Sequence, residues 1–165
     1  MNRPMNAVRE LLHESRVLDL GPLPAPRLSP QATVEQALQF LVRGRRGAIV
    51  VVDGAKPIGI FTERDVLYRT TESLLALDTE RRRTPLSRVM SKPPVTIRRQ
   101  ASLHEAISEM TNRGFRHLVV VDRRGDLKGL LNTNDLIQFL TDQFPEDTVN
   151  LPPRLDQRYV RPEGA

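Results

Sequence analysis

The segment GIFTERD at residues 59–65 returns as GLLNTND at residues 129–135. Working outward from it, IVVVD at 49–53 corresponds to LVVVD at 118–122, and LSPQATVEQA at 28–37 corresponds to IRRQASLHEA at 97–106. The offset is 70 residues for the quoted segment (59 to 129) and 69 for the two outer blocks (49 to 118 and 28 to 97). Three blocks in the same order at a nearly constant offset indicate an internal repeat.

Each copy carries the same succession of local signals. A capping-box spacing, Thr33 with Gln36 and Ser102 with Glu105, begins an apolar stripe at helical period. Short β-branched runs follow and indicate buried strands. The predicted order is strand, helix, strand, strand, helix, with segments at 26–28, 33–42, 48–52, 57–61 and 62–69, and at 94–97, 102–110, 118–121, 127–131 and 132–142.

One unit of about 55 residues buries too small a core to be stable alone. We therefore expect an α/β fold of the α+β type, in which two β-α-β-β-α repeats pack with pseudo-two-fold symmetry. The predicted organisation is an N-terminal extension (1–16) with a short helix at 7–13, a first repeat (17–75), a linker (76–88), a second repeat (89–142) and an extended tail (143–165).

Composition excludes several functional classes. The 165 residues include no cysteine, so disulfides, thiolate zinc sites and a cysteine nucleophile are excluded. The three histidines, His13, His104 and His117, are not at metal-ligand spacing, so no metal site is expected. No apolar run approaches about 20 residues, and the polar N-terminus lacks a signal-peptide core. These features predict a soluble, cytoplasmic protein without a membrane partner.

The most informative positions lie where the last strand of each copy runs into the last helix. Thr62 and Asn132 are good N-caps, and the free N–H groups of a helix start attract anions. The hydroxyl of Thr62 and the guanidinium of Arg64 can donate to a phosphate. Asp65 and Asp135 are acceptors for ribose hydroxyls. The alternative is that Thr62 with Asp65, and Asn132 with Asp135, are plain capping boxes.

The two copies resemble CBS domains, and the pair resembles a Bateman module. The resemblance covers about residues 17–142. It rests on GIFTERD at 59–65, which is similar to the family's Gly-x-x-Thr/Ser-x-x-Asp pattern. It also rests on GFRHLVVVD at 114–122, which is similar to the family's second strand, and on Val89-Met90 before the second copy.

The resemblance implies paired sheets with two clefts that bind AMP, ADP, ATP or S-adenosylmethionine as a regulatory ligand. It implies that Asp65 and Asp135 bind ribose hydroxyls and that Thr62 lies near the phosphate. Asn132 departs from the pattern, so the cleft with Asp65 is expected to rank first. Arg116 and His117 are expected to line a cleft, although a surface Arg and a partly buried His fit the pattern equally.

The expected function is a non-catalytic sensor that forms a homodimer, needs no cofactor and acts on an unknown effector protein. No Gly-Lys-Ser/Thr loop, dinucleotide fingerprint or nucleophile-and-base pair suggests an enzyme. The alternative is a basic adaptor with empty clefts that binds nucleic acid or a protein. The net charge of +5 and the cluster Arg81-Arg82-Arg83 suggest this alternative. A solvated arginine-rich surface explains the same charge, so nucleic acid is not the expected partner.

Overall fold

The computed structural model describes residues 3–44, 47–69 and 82–144. Residues 70–81, which end the predicted first repeat and begin the predicted linker, and the predicted tail from residue 145 lie outside the described residues. The elements, in chain order, are α1 (Arg3–Glu14), a 3₁₀ helix (Val17–Leu20), β1 (Arg27–Leu28), α2 (Val34–Gly44), β2 (Ala48–Asp53), β3 (Lys56–Thr62), α3 (Glu63–Arg69), α4 (Leu86–Val89), β4 (Thr96–Arg98), α5 (Leu103–Arg113), β5 (His117–Val121), β6 (Leu127–Asn132) and α6 (Thr133–Gln143).

The strands form two sheets of the same design. One has the order β1-β2-β3 and the other β4-β5-β6. In each sheet the first pair is parallel and the second antiparallel. Both antiparallel pairs have a register shift at the equivalent place, between Val51 and Val52 and between Val120 and Val121. The predicted fold class, two β-α-β-β-α repeats in an α/β protein, is confirmed.

The helices begin at the capping boxes that the spacing predicts. The Thr33 backbone N–H donates to Gln36 at 2.9 Å, and the Ser102 N–H donates to Glu105 at 2.7 Å. The hydrogen bonds from the backbone and hydroxyl of Ser102 hold the pKa of Glu105 below its ordinary value. α5 ends at Gly114, whose φ of 64° is the left-handed conformation that favours glycine.

The two sheets pack face to face. Alternate strand residues point to opposite faces, so each central strand serves two clusters. Ile49 and Leu118 pack in the apolar clusters of their own repeats. Their neighbours along the strands form a third cluster between the sheets, consisting of Ala48, Val50, Val119, Val121 and Leu130. The repeats therefore share an interior, as expected for units too small to be stable alone.

Each segment that precedes a repeat packs in the core of the other repeat, and we call these the exchanged segments. Val17 is fully buried in the cluster of the second repeat, and Leu86 is fully buried in that of the first. Matching bridges accompany the exchange, Arg16 with Ser102 and Thr33 with Pro85. Although the sequence assigns residues 17–75 to the first repeat, the chain at residue 17 completes the core of the second.

The N-terminal helix is longer than the predicted 7–13 and also belongs to the second repeat. α1 packs on α5, where the rings of His13 and His104 stack with centroids 4.1 Å apart. The Leu103 N–H donates to the Ser15 carbonyl at 3.0 Å. α1 is thus continuous with the exchanged segment that follows it. Within the described part of the chain, no helix is long and apolar enough to cross a membrane.

The hairpin tips join the repeats at the other end of the interface. The Leu127 N–H donates to the Ala55 carbonyl at 2.8 Å. Lys56 forms an ion pair with Asp126 at 2.8 Å and also donates to the Arg124 carbonyl. Lys56 and Asp126 occupy equivalent positions in the two repeats, 70 residues apart. Opposite charges therefore meet across the pseudo-two-fold axis.

Candidate functional site

The two strand-to-helix junctions lie at one end of the sheet interface. Thr62 pairs with Ala48 and Asn132 pairs with His117, so each junction lies beside the start of a central strand. The two strand starts are close together, because a Cβ added to Gly47 would lie 3.1 Å from the His117 ring. The fold therefore brings both predicted helix openings to a common region around His117.

At the first junction, Asp65 is buried, with 6% of its surface exposed. Its Oδ2 accepts the backbone N–H and the hydroxyl of Thr62, each at 2.8 Å. Its Oδ1 accepts the hydroxyl of Ser91, also at 2.8 Å. Thr62 and Asp65 form a local capping box at the start of α3, and the bond from Ser91 adds a tertiary contact to it.

Ser91 was not among the predicted site residues. It lies just after α4, in the exchanged segment, and forms an isolated bridge with Ile60. The Ile60 N–H donates to the Ser91 carbonyl at 3.0 Å, and the Ser91 N–H donates to the Ile60 carbonyl at 2.9 Å. Its distance from Asp65 in sequence, 26 residues, left no local spacing signal that could have identified it.

The second junction has the same cap but a different surrounding. Asn132 Oδ1 accepts the N–H groups of Asn134 at 2.8 Å and of Asp135 at 3.2 Å. Asp135 Oδ2 accepts the Asn132 N–H at 2.8 Å. Among the described residues no donor is bonded to Asp135 Oδ1 and no acceptor to the side-chain nitrogen of Asn132. Asp135 is half-buried, so its carboxylate is partly screened from bulk water.

The residue beside β6 that corresponds to Ser91 is apolar. The Leu130 N–H donates to the Leu23 carbonyl at 3.4 Å, as the Ile60 N–H donates to the Ser91 carbonyl. Leu23 has no hydroxyl to offer Asp135. The two junctions are thus similar in backbone and unequal in side-chain contacts.

His117 lies between the junctions and is half-buried. Burial lowers the pKa of its imidazole; the positive charge of Arg116 adds to this, while the negative charges of Glu63 and Asp135 oppose it. The ring is therefore predominantly neutral at pH 7. A neutral imidazole in this position can become a cationic partner when further negative charge arrives.

The two predicted arginines lie at the rim of this region. Both Arg64, in the first turn of α3, and Arg116, before β5, are exposed. In the described part of the chain neither guanidinium is paired with a carboxylate. The carbonyl of Arg116 accepts the Thr133 N–H at 3.2 Å, which ties the start of β5 to the start of α6. Both guanidinium groups therefore remain available to an anion.

The structure thus brings together acceptors and donors of different kinds. The buried carboxylate of Asp65 and the half-buried carboxylate of Asp135 suit vicinal hydroxyls, and the guanidinium, amide and imidazole groups suit a phosphate. Among residues 3–44, 47–69 and 82–144, no group of three or more metal-ligating side chains is assembled. A broad groove of about 1330 Å³ lies elsewhere, between α5 and the chain from Pro93 to Arg98, and none of the predicted site residues lines it.

The comparisons with known proteins agree with this architecture. The CBS domain family matches residues 20–71 and 86–142. The chain therefore belongs to the CBS domain family and contains a tandem pair of these domains. The boundaries predicted from the sequence, 17–75 and 89–142 with a linker at 76–88, stay predictions in their detail.

Two curated relatives illustrate the match. The CBS domain-containing protein YhcV of Bacillus subtilis is 32% identical over 122 residues, which are 74% of this chain and 83% of that protein. The uncharacterised protein MK0525 of Methanopyrus kandleri is 32% identical over 117 residues, which are 67% of this chain and 55% of that protein. The chain thus spans little more than half the length of the second relative.

A solved structure with the same fold contains a nucleotide. The CBS domain protein PAE2072 from Pyrobaculum aerophilum, complexed with AMP, is 27% identical in sequence and superposes with a TM-score of 0.64. The similarity covers 77% of this chain and 99% of that one.

Proposed function

We propose that this CBS pair is a non-catalytic regulatory sensor that binds an adenosine nucleotide, AMP, ADP, ATP or S-adenosylmethionine, at the strand-to-helix junctions. The observation that carries the proposal is the pair of screened carboxylates, Asp65 and Asp135, beside uncompensated cationic groups at one end of the sheet interface. The AMP complex of the similar Pyrobaculum protein supports the choice of ligand.

The proposed roles follow from the chemistry of each group. Asp65 and Asp135 accept ribose hydroxyls, since a carboxylate can accept two hydroxyl donors at once. Thr62 and Asn132 lie at the helix starts, where the positive end of the helix dipole favours a phosphate.

Three further side chains complete the proposed phosphate environment. Arg64 and Arg116 contribute charge-assisted hydrogen bonds. His117 gains a proton as phosphate charge approaches, because negative charge raises the pKa that burial has lowered. The nucleotide acts as a regulatory ligand, and no further cofactor is part of the proposal.

In this proposal, nucleotide binding is communicated through the protein's association with a second copy and with an effector protein. We propose a homodimer in the cytoplasm, where adenosine nucleotides are held, and an effector protein that reads the ligand-bound state. A ligand that binds one packing of the repeats better than another shifts their populations. Sedimentation at equilibrium with AMP present tests the dimer, and the mass of a single chain would contradict it.

The alternative, a basic adaptor with empty clefts, gains no support from the described residues. Arg82 lies 3.8 Å from Glu35 across an exposed ion pair, and Arg83 is exposed. Arg81 lies outside the described residues. The adaptor would bind RNA with a steep dependence on salt, and it would be unaffected by adenosine nucleotides.

A thermal-shift panel tests the proposed function. AMP, ADP, ATP and S-adenosylmethionine are added separately, and at least one is expected to raise the melting temperature, because a ligand that binds the folded state stabilises it. The double variant Asp65→Asn with Asp135→Asn should abolish the shift. Glu105→Gln is the matched control, since Glu105 caps α5 in the same way but lies away from the junctions. No shift with any of the four compounds, or a shift that survives the double variant, would contradict the proposal.

A further inference from the structure

We infer that the two junctions are unequal binding sites: the nucleotide binds first at Asp135, and the hydroxyl of Ser91 acts as an internal competitor at Asp65. This inference rests on the proposed function and reverses the order expected from the sequence. It comes from the different contacts of the two carboxylates.

At Asp65 both carboxylate oxygens already accept protein donors. Oδ1 accepts the Ser91 hydroxyl and Oδ2 accepts the hydroxyl and N–H of Thr62. A ribose hydroxyl arriving at Oδ1 must either share that oxygen with the Ser91 hydroxyl or displace a donor of similar strength. The exchange of one such hydrogen bond for another adds little to affinity, because the number of bonds to the charged acceptor stays the same.

At Asp135 the same step forms a new bond. Within the described residues Oδ1 has no donor, and the position of Ser91 is taken by Leu23. A ribose hydroxyl that donates to this half-buried carboxylate adds a charge-assisted hydrogen bond without removing a protein donor. The ribose therefore gains more at Asp135 than at Asp65.

The phosphate donors show the same inequality. The hydroxyl of Thr62 donates to Asp65 at 2.8 Å, so its proton is not directed to a ligand. Asn132 uses its side-chain oxygen for the cap and keeps the amide N–H groups for another acceptor. Asn132, whose departure from the family pattern ranked the second site lower in the sequence analysis, instead supplies that site with a donor.

Ser91 is placed to couple binding to the packing of the repeats. It belongs to the exchanged segment, and both its N–H and its carbonyl are hydrogen-bonded to the backbone of Ile60. Displacing its hydroxyl from Asp65 removes a link between that segment and α3. Ser91 thus links occupation of the Asp65 site to the position of the exchanged segment.

Isothermal titration calorimetry with AMP, and in parallel with ATP, tests the inference on the full chain. The wild-type protein should show one tighter event with one nucleotide per chain. Asp135→Asn should weaken that event about tenfold, the size of a lost bond to a charged group. Asp65→Asn should leave it within about twofold, as expected for an independent site. Melting curves verify that each variant is folded.

The decisive variant is Ser91→Ala. It should strengthen binding at the second, weaker event by about tenfold, since the ribose no longer competes with an internal hydroxyl. Ser91→Thr keeps the hydroxyl and should retain the wild-type isotherm. Two equal events in the wild type, a tighter event that depends on Asp65, or no gain in Ser91→Ala would each overturn the inference while the proposed function stands. Absence of any heat from AMP and ATP, together with a silent thermal-shift panel, would overturn both.

Discussion

Gly129→Ala tests the exchanged segment with a single methyl group. A Cβ at this position would lie 2.8 Å from the Cβ and 2.8 Å from the carbonyl oxygen of Leu23, closer than such atoms approach. The segment cannot withdraw freely, because the Leu130 N–H donates to that same carbonyl. Overpacking of this kind costs roughly 1–3 kcal/mol, and the lower entropy of the unfolded chain offsets about 0.4–1 kcal/mol. Because the clash involves a backbone oxygen, the cost lies near the upper end of this range, and the expected net loss of stability is about 2 kcal/mol.

Gly59→Ala is the matched control in the first repeat. Its Cβ would overlap the Sδ of Met90 and lie 2.9 Å from its Cγ, while the nearest backbone atom, the Ser91 carbonyl oxygen, is 3.2 Å away. A methionine side chain has three rotatable bonds and can move aside. We therefore expect a loss of about 1 kcal/mol or less, toward the lower end of overpacking costs.

Urea denaturation followed by circular dichroism measures both variants. With about 2–4 °C per kcal/mol for a chain of this size, Gly129→Ala should also melt about 4–8 °C below the wild type. Coincident transitions by fluorescence and circular dichroism would justify the two-state treatment. If Gly129→Ala were as stable as the wild type, or less harmful than Gly59→Ala, the packing of Leu23 on β6 would be refuted.

Three further predictions concern the shared interior and its edges. Because burial lowers the pKa of His117, its contribution to stability should be complete above about pH 6.5 and be lost as the pH falls through the folded-state pKa. His117→Gln should flatten the stability profile below about pH 6.5, and superimposable profiles would contradict the assignment. Val17→Ala should cost about 2 kcal/mol and accelerate hydrogen exchange in the second repeat; acceleration confined to the first would show that the segments are not exchanged. Lys56→Ala should cost up to about 1 kcal/mol at low salt and less at high salt, because its pair with Asp126 is partly exposed; a loss independent of salt would exclude the ion pair as its cause.

The local structure of the chain was predictable because it depends on neighbours a few residues apart. Strand runs, helical stripes and capping boxes have short periods, and the duplication identifies each of them twice. Thr62 with Asp65, and Asn132 with Asp135, were visible as pairs for this reason. Local patterns do not include tertiary contacts, so the observed helix ends differ from the predicted ones. At α1, which packs on α5, the helix is longer than the pattern predicts.

The amino-acid sequence alone determined the repeat, the order of its elements and the two acidic helix starts, since these follow from propensity and spacing. The tertiary structure decided which repeat each leading segment completes and which carboxylate is occupied. Val17 lies among residues that follow it by about 80 to 120 positions, and Ser91, from the segment that precedes the second repeat, reaches Asp65 of the first. Contacts of this kind depend on how two similar sheets pack against each other, and the sequence periods are the same whichever repeat a segment joins.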